Sequence, residues 1–169
     1  MSKPVKNPLR RRFLRGLLAL APAGLLGSAA ARAADSAADS ADDLRFPGDP
    51  AEHRVVYQFN HADIDYMEHV LFSVGAMLRK YDTNVEIVVV AFGPGIHILG
   101  KRPERPVPEL LRQRVASLSQ YGVKFVACGN TMKSLGWDAE DILPFAEIEE
   151  VGAAALMEYQ EKGFSYISW

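Results

Sequence analysis

The single cysteine, Cys128, has the most distinctive chemistry in this chain of 169 residues. It directly follows an apolar run at residues 123–127 and precedes a predicted helix start, where Asn130 or Thr131 can serve as the cap. Unpaired backbone N–H groups and the positive end of a helix dipole favour a thiolate at such a place and lower the cysteine pKa. A thiolate there can attack a sulfur atom and carry it as a persulfide.

Cys128 also suits a structural interpretation, because unpaired cysteines are often small buried hydrophobic residues. The local features leave both interpretations open. In an oxidising compartment, an exposed unpaired thiol is a liability unless it is used, shielded or paired between chains. A single cysteine excludes a disulfide within the chain and a zinc site built from several cysteines.

Three polar or glycine-rich segments follow the three clearest predicted strands. They are residues 60–63 (NHAD), 93–97 (GPGIH) and 128–131 (CGNT). Ligands of open parallel sheets gather outside the carboxyl ends of the strands, so these segments are expected to lie near one another. Beside Cys128, the ligand-binding residues predicted from this placement are Asn60, Gly93, Gly95, His97, Gly129, Asn130 and Thr131.

The Gly93-Pro94-Gly95 turn has two interpretations. Its glycines can let backbone N–H groups approach an anion or a sulfur-bearing substrate, but the sequence favours a plain tight turn that ends a strand. His97 can act as a proton donor near Cys128, although a surface histidine in a loop is the favoured interpretation.

No metal site and no cofactor are predicted. His61 and His69 are eight positions apart, more than two turns of a helix, which is poor geometry for binding one ion. Trp137 and Trp169 are interpreted as packing residues.

Predicted strands alternate with predicted helices along the second two thirds of the chain. The strands are expected at residues 54–60, 85–92, 123–127, 147–150 and 164–168. The helices are expected at 64–80, with Asp63 as its cap, at 109–121, in a short segment through Met132, at 138–143 and at 153–162. The run at residues 85–92 is almost entirely apolar, as in central strands covered on both faces. The pattern predicts a three-layer α/β/α sandwich with a mostly parallel sheet of about five strands.

Residues 1–33 are predicted to be a signal peptide. The sequence RRRFLR at residues 10–15 contains a twin-arginine pattern, and an apolar run of about a dozen residues follows, shorter than the roughly 20 that span a membrane. Ala31-Arg32-Ala33 is typical of a cleavage site. We therefore expect export to the periplasm by the twin-arginine route, cleavage near Ala33 and no stable membrane anchor afterwards; the alternative is an uncleaved arginine-rich anchor.

The charge of the chain is divided unevenly. Residues 1–33 hold 7 of the 19 bases and none of the 21 acids, so the remainder has 12 bases against 21 acids, a net charge of −9. Such an acidic body argues against nucleic-acid binding, which requires a basic face. Residues 34–52 are polar and acidic and are predicted to be a flexible spacer. Residues 53–169 are predicted to form one domain.

Three stretches give the chain a resemblance to a known family. Residues 123–132 (VKFVACGNTM), 89–95 (VVAFGPG) and 161–167 (EKGFSYI) are similar to the DsrE/DsrF-like proteins, and specifically to the branch labelled intracellular sulfur oxidation proteins. The resemblance spans about residues 53–169. It implies a parallel-sheet α/β/α fold, a homo-oligomer, commonly a trimer or hexamer, and a persulfide-forming cysteine that corresponds to Cys128.

The resemblance implies sulfur relays that operate in the cytoplasm, whereas the predicted signal peptide would export this chain. The combined prediction is an exported protein that carries sulfane sulfur as a persulfide on Cys128, with a sulfur donor or acceptor protein as its partner. A carrier is favoured over an enzyme, because no base and no second cysteine are evident. The alternatives are an oligomeric module that binds a small anion or nucleotide, and a protein-interaction module in which Cys128 is structural.

Overall fold

The computed structural model describes residues 48–169. The predicted signal peptide and residues 34–47 of the predicted spacer lie outside the described residues. The strands are β1 (His53–Phe59), β2 (Val85–Ala91), β3 (Lys124–Cys128), β4 (Glu147–Glu149) and β5 (Ser165–Ile167). The α-helices are α1 (Ile64–Tyr81), α2 (Glu109–Gln120), α3 (Gly129–Leu135) and α4 (Gly152–Glu161). Short 3-10 helices occupy Asp82–Asn84, Gly93–Leu99 and Ala139–Asp141.

The five strands form one sheet in the order β4-β3-β2-β1-β5, and every neighbouring pair is parallel. The chain steps in one direction from β1 to β4, and α4 then carries it back to add β5 on the far side of β1. Right-handed crossovers accordingly place α1, α2 and α3 on one face of the sheet and α4 on the other. The predicted α/β/α class with a parallel five-stranded sheet is confirmed.

The two faces of the sheet bury separate cores. Alternate residues of the central strands, among them Tyr57 and Val89, pack with α1, α2 and α3. The intervening residues, such as Val88 and Val126, pack with Ala155 and Leu156 of α4. Because successive side chains of a strand point to opposite faces, a central strand covered on both sides must be apolar throughout, as the run in β2 predicted.

Helix α1 begins and ends as its sequence predicts. The Asp63 carboxylate accepts a hydrogen bond from the Tyr66 N–H at 3.0 Å, and Arg79 and Lys80 lie in the last turn, where they complement the helix dipole. Among residues 48–169, no helix is both long enough and apolar enough to cross a membrane.

The helix predicted at residues 138–143 is wrong. The segment forms only one 3-10 turn, Ala139–Asp141. Two side chains close it: the Asp141 carboxylate accepts the Asp138 N–H, and the Asp138 carboxylate accepts the Asp141 N–H. Ile142 then becomes extended and bridges to Gly100, so the backbone leaves the helical path before Pro144. The weakly predicted fourth strand is present as β4.

Candidate functional site

Cys128 is the last residue of β3 and the N-cap residue of α3. Its position at the carboxyl end of a strand is the one predicted from the apolar run before it. The residue is 6% exposed in the single chain, so the thiol is largely covered. It does not lie among apolar side chains alone, because backbone N–H groups of two helices surround it.

Gly152, the first residue of α4, donates its backbone N–H to Cys128 Sγ at 3.2 Å. Pairing of Cys128 with Glu149 across β3 and β4 brings the start of α4 back over the sulfur. A Cβ at position 152 would lie 2.9 Å from Cys128 Cβ and 3.2 Å from Phe92 Cβ. Position 152 therefore needs glycine for this close approach, which aims the positive end of the α4 dipole at the sulfur.

The environment lowers the pKa of the Cys128 thiol from its ordinary value of 9.0. Burial, the largest single cause, raises that pKa, but the surrounding donors together outweigh it: the Thr131 hydroxyl and the N–H groups of Gly152, Thr131 and Asn130. The N–H groups in the first turn of α3 act on the sulfur without forming a cap hydrogen bond to it. The Asn130 N–H instead donates to the Glu150 carbonyl at 2.9 Å. The net result favours the thiolate.

The glycine turn after β2 is connected to the Cys128 site by a hydrogen bond to Thr131. The Gly93 N–H donates to Thr131 Oγ1 at 3.0 Å, and Gly93 has a φ of +52°, which suits glycine. A Cβ on Gly95 would lie 2.6 Å from the Phe59 carbonyl carbon and 2.8 Å from the Asn60 nitrogen. The turn is thus packed tightly against the end of β1 and begins a 3-10 helix.

Asn60 lies beside this turn, but its hydrogen bonds are with α1. Its N–H donates to the Tyr66 hydroxyl at 3.1 Å, and that hydroxyl lies 3.2 Å from Asn60 Oδ1. Of the predicted ligand-binding residues, Gly129, Asn130 and Thr131 therefore follow Cys128 in the first turn of α3, Gly93 contacts Thr131, and Gly95 and Asn60 support the neighbouring turn.

His97 is only 2% exposed, so its interpretation as a surface loop residue is wrong. The chain winds into a 3-10 helix at this point, and the imidazole packs edge-on against the Trp137 ring at 5.2 Å. Burial lowers the pKa of His97 and nearby Arg105 lowers it further, while Glu104 opposes both effects. Its Nδ1 has no hydrogen-bond partner within residues 48–169. The ring that His97 contacts is therefore that of Trp137. This tryptophan is a packing residue, as predicted.

Gly152 is a site residue that the sequence did not predict. Its signal is a glycine at the start of an otherwise alanine-rich helix, GAAALMEYQE, where alanine would be the better helix former. A glycine at such a position favours close backbone packing, because it has no Cβ. The partner could not be identified, because Cys128 lies 24 residues earlier in the chain.

A cavity of about 840 Å³ in the described domain does not lie at Cys128. It is a groove between α1 and α2 at the amino end of β2, lined by Phe72, Arg79, Arg114 and Tyr121 among others. Cys128 lies at the opposite, carboxyl end of the sheet. We place the candidate site at the sulfur because the groove contains none of the predicted site residues.

Residues 48–169 include no group of three or more His, Cys, Asp or Glu side chains arranged to hold a metal ion. The groups around the sulfur are backbone N–H donors and one hydroxyl. They can stabilise a sulfur anion and can hold it in one orientation.

The chain matches the DsrE/DsrF-like family over residues 47–169, a span that begins inside the predicted spacer. A protein of unknown function from Methanobacterium thermoautotrophicum, MTH1491, is similar in structure at 26% identity and a TM-score of 0.63, covering 70% of this chain and all of its own. No curated protein matches the chain.

Two further solved structures are similar in fold. The ychN protein from E. coli is 14% identical with a TM-score of 0.58, covering 69% of this chain and 99% of its own. BT1422 from Bacteroides thetaiotaomicron, a conserved protein of unknown function, is 14% identical with a TM-score of 0.55, covering 73% of this chain and all of its own. The family match spans most of the chain, which therefore belongs to the DsrE/DsrF-like family.

Proposed function

We propose that this member of the DsrE/DsrF-like family carries sulfane sulfur as a persulfide on Cys128. Family membership supports a sulfur-related role. The observation that carries the proposal is the hydrogen bond of 3.2 Å from the Gly152 N–H to Cys128 Sγ, at the start of α4. A donor held this close to the sulfur stabilises negative charge on it before and during attack.

The transfer step is a displacement at sulfur. The Cys128 thiolate uses a lone pair to bond the outer sulfur of a donor R–S–SH, and the R–S to sulfur bond breaks with its electron pair to give R–S⁻. The product is Cys128–S–SH, so the sulfur atom and its proton move together and no external oxidant or reductant is required. Attack of an acceptor thiolate on the outer sulfur of Cys128–S–SH reverses the step and regenerates the Cys128 thiolate.

The burial of Cys128 restricts what can reach it. Because the residue is only 6% exposed, we expect that only a slender group, such as a polysulfide chain or the tip of a partner's cysteine persulfide, can reach the sulfur. The same burial shields the thiol from unspecific oxidation, which favours controlled transfer in an oxidising compartment.

The proposal retains the export route predicted from the sequence. The twin-arginine pattern and the Ala31-Arg32-Ala33 cleavage motif support action in the periplasm after removal of residues 1–33. We propose a homo-oligomer there, with separate donor and acceptor proteins. A carrier role is favoured over catalysis, because Cys128 is the single cysteine of the chain and His97 packs against Trp137.

Intact-mass spectrometry of the mature protein tests the proposal. The protein beginning at Ala34 is incubated with polysulfide, or with thiosulfate and a sulfurtransferase, and the mass gain of one sulfur atom is located by peptide mapping. We expect the gain on Cys128 and its loss in Cys128→Ser. Absence of the gain in the wild-type protein, or an equal gain in Cys128→Ser, contradicts a carrier role.

The burial of Cys128 also favours a second candidate, an oligomeric ligand-binding or protein-interaction module in which the thiol only packs against Gly152. In that case native Cys128 resists alkylation until the protein unfolds. Substitution Cys128→Ala then leaves ligand or partner affinity unchanged, whereas a carrier loses its transfer activity.

A further inference from the structure

Thr131 occupies a special position relative to the sulfur. It lies three residues after Cys128, in the first turn of α3. Helical side chains point back towards the amino end of their helix, so the Thr131 side chain extends over the turn that begins at Cys128.

The Thr131 hydroxyl is held from the other side by the glycine turn. Oγ1 accepts the Gly93 N–H at 3.0 Å, across 38 positions of sequence. Gly93 is itself fixed, because the Phe92 N–H donates to the Phe59 carbonyl at 3.1 Å and Gly95 abuts the same stretch of β1 backbone. The hydroxyl is therefore held in place at the carboxyl end of the sheet.

This contact determines what the hydroxyl proton can do. A threonine hydroxyl has one proton to donate and two lone pairs that accept. Gly93 uses an accepting site, so the proton remains available for a neighbouring acceptor. Cys128 Sγ already accepts a hydrogen bond from Gly152, and a second donor at the sulfur would further favour its ionised form.

We propose that Thr131 is a positioning residue for Cys128, whose hydroxyl, oriented by the Gly93 N–H, donates to Sγ and holds the sulfur as an anion aimed at its donor. This inference rests on the proposed function and assigns the Gly93-Pro94-Gly95 turn a part in it. The turn contributes an orienting N–H rather than a ligand contact. Among the groups that lower the Cys128 pKa, the Thr131 hydroxyl has the largest effect, and the Gly93 contact leaves its proton free to act there.

A purely structural role for Thr131 is the competing explanation, since the Gly93 contact also ties α3 to the end of β2. The two roles differ in their effect on thiol ionisation. A structural tie affects the stability of the domain and leaves the ionisation of Cys128 unchanged, whereas a positioning hydroxyl affects ionisation even in a fully folded variant.

The test measures the rate of Cys128 alkylation by iodoacetamide against pH in the wild type, Thr131→Val and Thr131→Ser. Valine keeps the shape and removes the hydroxyl, whereas serine keeps the hydroxyl. Ser134→Ala is the matched control, because Ser134 lies in the same helix and its exposed hydroxyl donates to the Asn130 carbonyl at 2.9 Å. Circular dichroism establishes that each variant is folded.

We expect Thr131→Val to move the midpoint of the profile to higher pH and to slow alkylation near neutral pH by about tenfold, with Thr131→Ser and Ser134→Ala close to the wild type. A folded Thr131→Val with the wild-type midpoint overturns the inference. Should Thr131→Val fail to fold, Thr131→Ala is measured against Thr131→Ser, and equal midpoints for that pair overturn it equally.

The mass-spectrometric uptake of sulfur separates this inference from the proposed function. Wild-type protein that takes up no sulfur contradicts the carrier role, whatever the Thr131 variants do. Wild-type protein that takes up sulfur while Thr131→Val takes it up at the same rate and with the same pH profile retains the carrier role and rejects the positioning role.

Discussion

The backbone N–H of Gly152 lies 3.2 Å from Cys128 Sγ, and no room remains between the two residues for a Cβ. This relationship joins the start of α4 to the end of β3 and puts a helix dipole on the sulfur. It explains the presence of glycine at position 152 and contributes, after the Thr131 hydroxyl, to the lowered pKa of the thiol.

Substitution Gly152→Ala tests that relationship. The new Cβ would lie 2.9 Å from Cys128 Cβ, so α4 must shift, and we expect a loss of about 1–3 kcal/mol in the free energy of unfolding. The shift also lengthens the hydrogen bond to the sulfur and moves the alkylation midpoint of Cys128 to higher pH. Urea unfolding and iodoacetamide kinetics measure the two effects.

Gly75→Ala is the matched control for that substitution. Gly75 lies within α1, and a Cβ there would meet only Arg79 Nη1, at 3.5 Å, an ordinary contact. Alanine is the better helix former, so Gly75→Ala should be neutral or stabilising by up to about 1 kcal/mol. Equal effects of the two substitutions would contradict a special role for position 152.

The thiol of wild-type Cys128 should ionise below its ordinary value. Hydrogen bonding outweighs burial and lowers its pKa from 9.0, so the alkylation rate should reach half its plateau at a pH below 9.0. Because the folded-state pKa is the lower one, the stabilising contribution is full above 9.0 and is lost as pH falls through the folded value. Cys128→Ser should remove this part of the pH dependence of unfolding. A midpoint at or above 9.0 is the contrary result.

His97 should make the fold sensitive to mild acid. Its folded pKa is lowered from 6.5 by burial and by Arg105, with Glu104 opposing, so the unfolded chain takes up a proton more readily than the folded one. The stability contribution is complete above pH 6.5 and decreases as pH falls from 6.5 towards the folded pKa. Urea unfolding at pH 7.5 and at successively lower pH measures the decline.

His97→Gln should flatten that decline, because it removes the titrating group while keeping a polar side chain of similar size. His61→Gln is the control, since His61 is exposed. A His97→Gln variant that loses stability with falling pH as steeply as the wild type would show that other groups are responsible.

Gly95→Ala should affect both stability and the site. The added Cβ would lie 2.6 Å from the Phe59 carbonyl carbon, so the turn must move away from β1 at an expected cost of about 3 kcal/mol. Gly93, two residues earlier, would move with it and misalign its N–H to Thr131. We expect slower Cys128 alkylation at neutral pH in the folded fraction. Unchanged alkylation kinetics would show that the turn does not influence the reactivity of the sulfur.

The sequence by itself determined the alternation of strands and helices and the fold class. These features depend on local patterns, the apolar run of β2 and the periodic apolar positions of α1, which each segment carries within itself. The position of Cys128 at the end of a strand followed from the same patterns. Predicting a helix at residues 138–143 failed, because the side-chain hydrogen bonds of Asp138 and Asp141 closed a single turn instead.

Only the tertiary structure decided the strand order, the contact of Gly152 with the sulfur, the anchoring of Thr131 by Gly93, and the burial of Cys128 and His97. Each of these depends on which strand ends lie side by side and on where a crossover helix returns to the sheet. Residues 24 and 38 positions apart meet at one edge because parallel strands bring their carboxyl ends together there. No local pattern in the sequence encodes that meeting, because it arises from the packing of the whole domain.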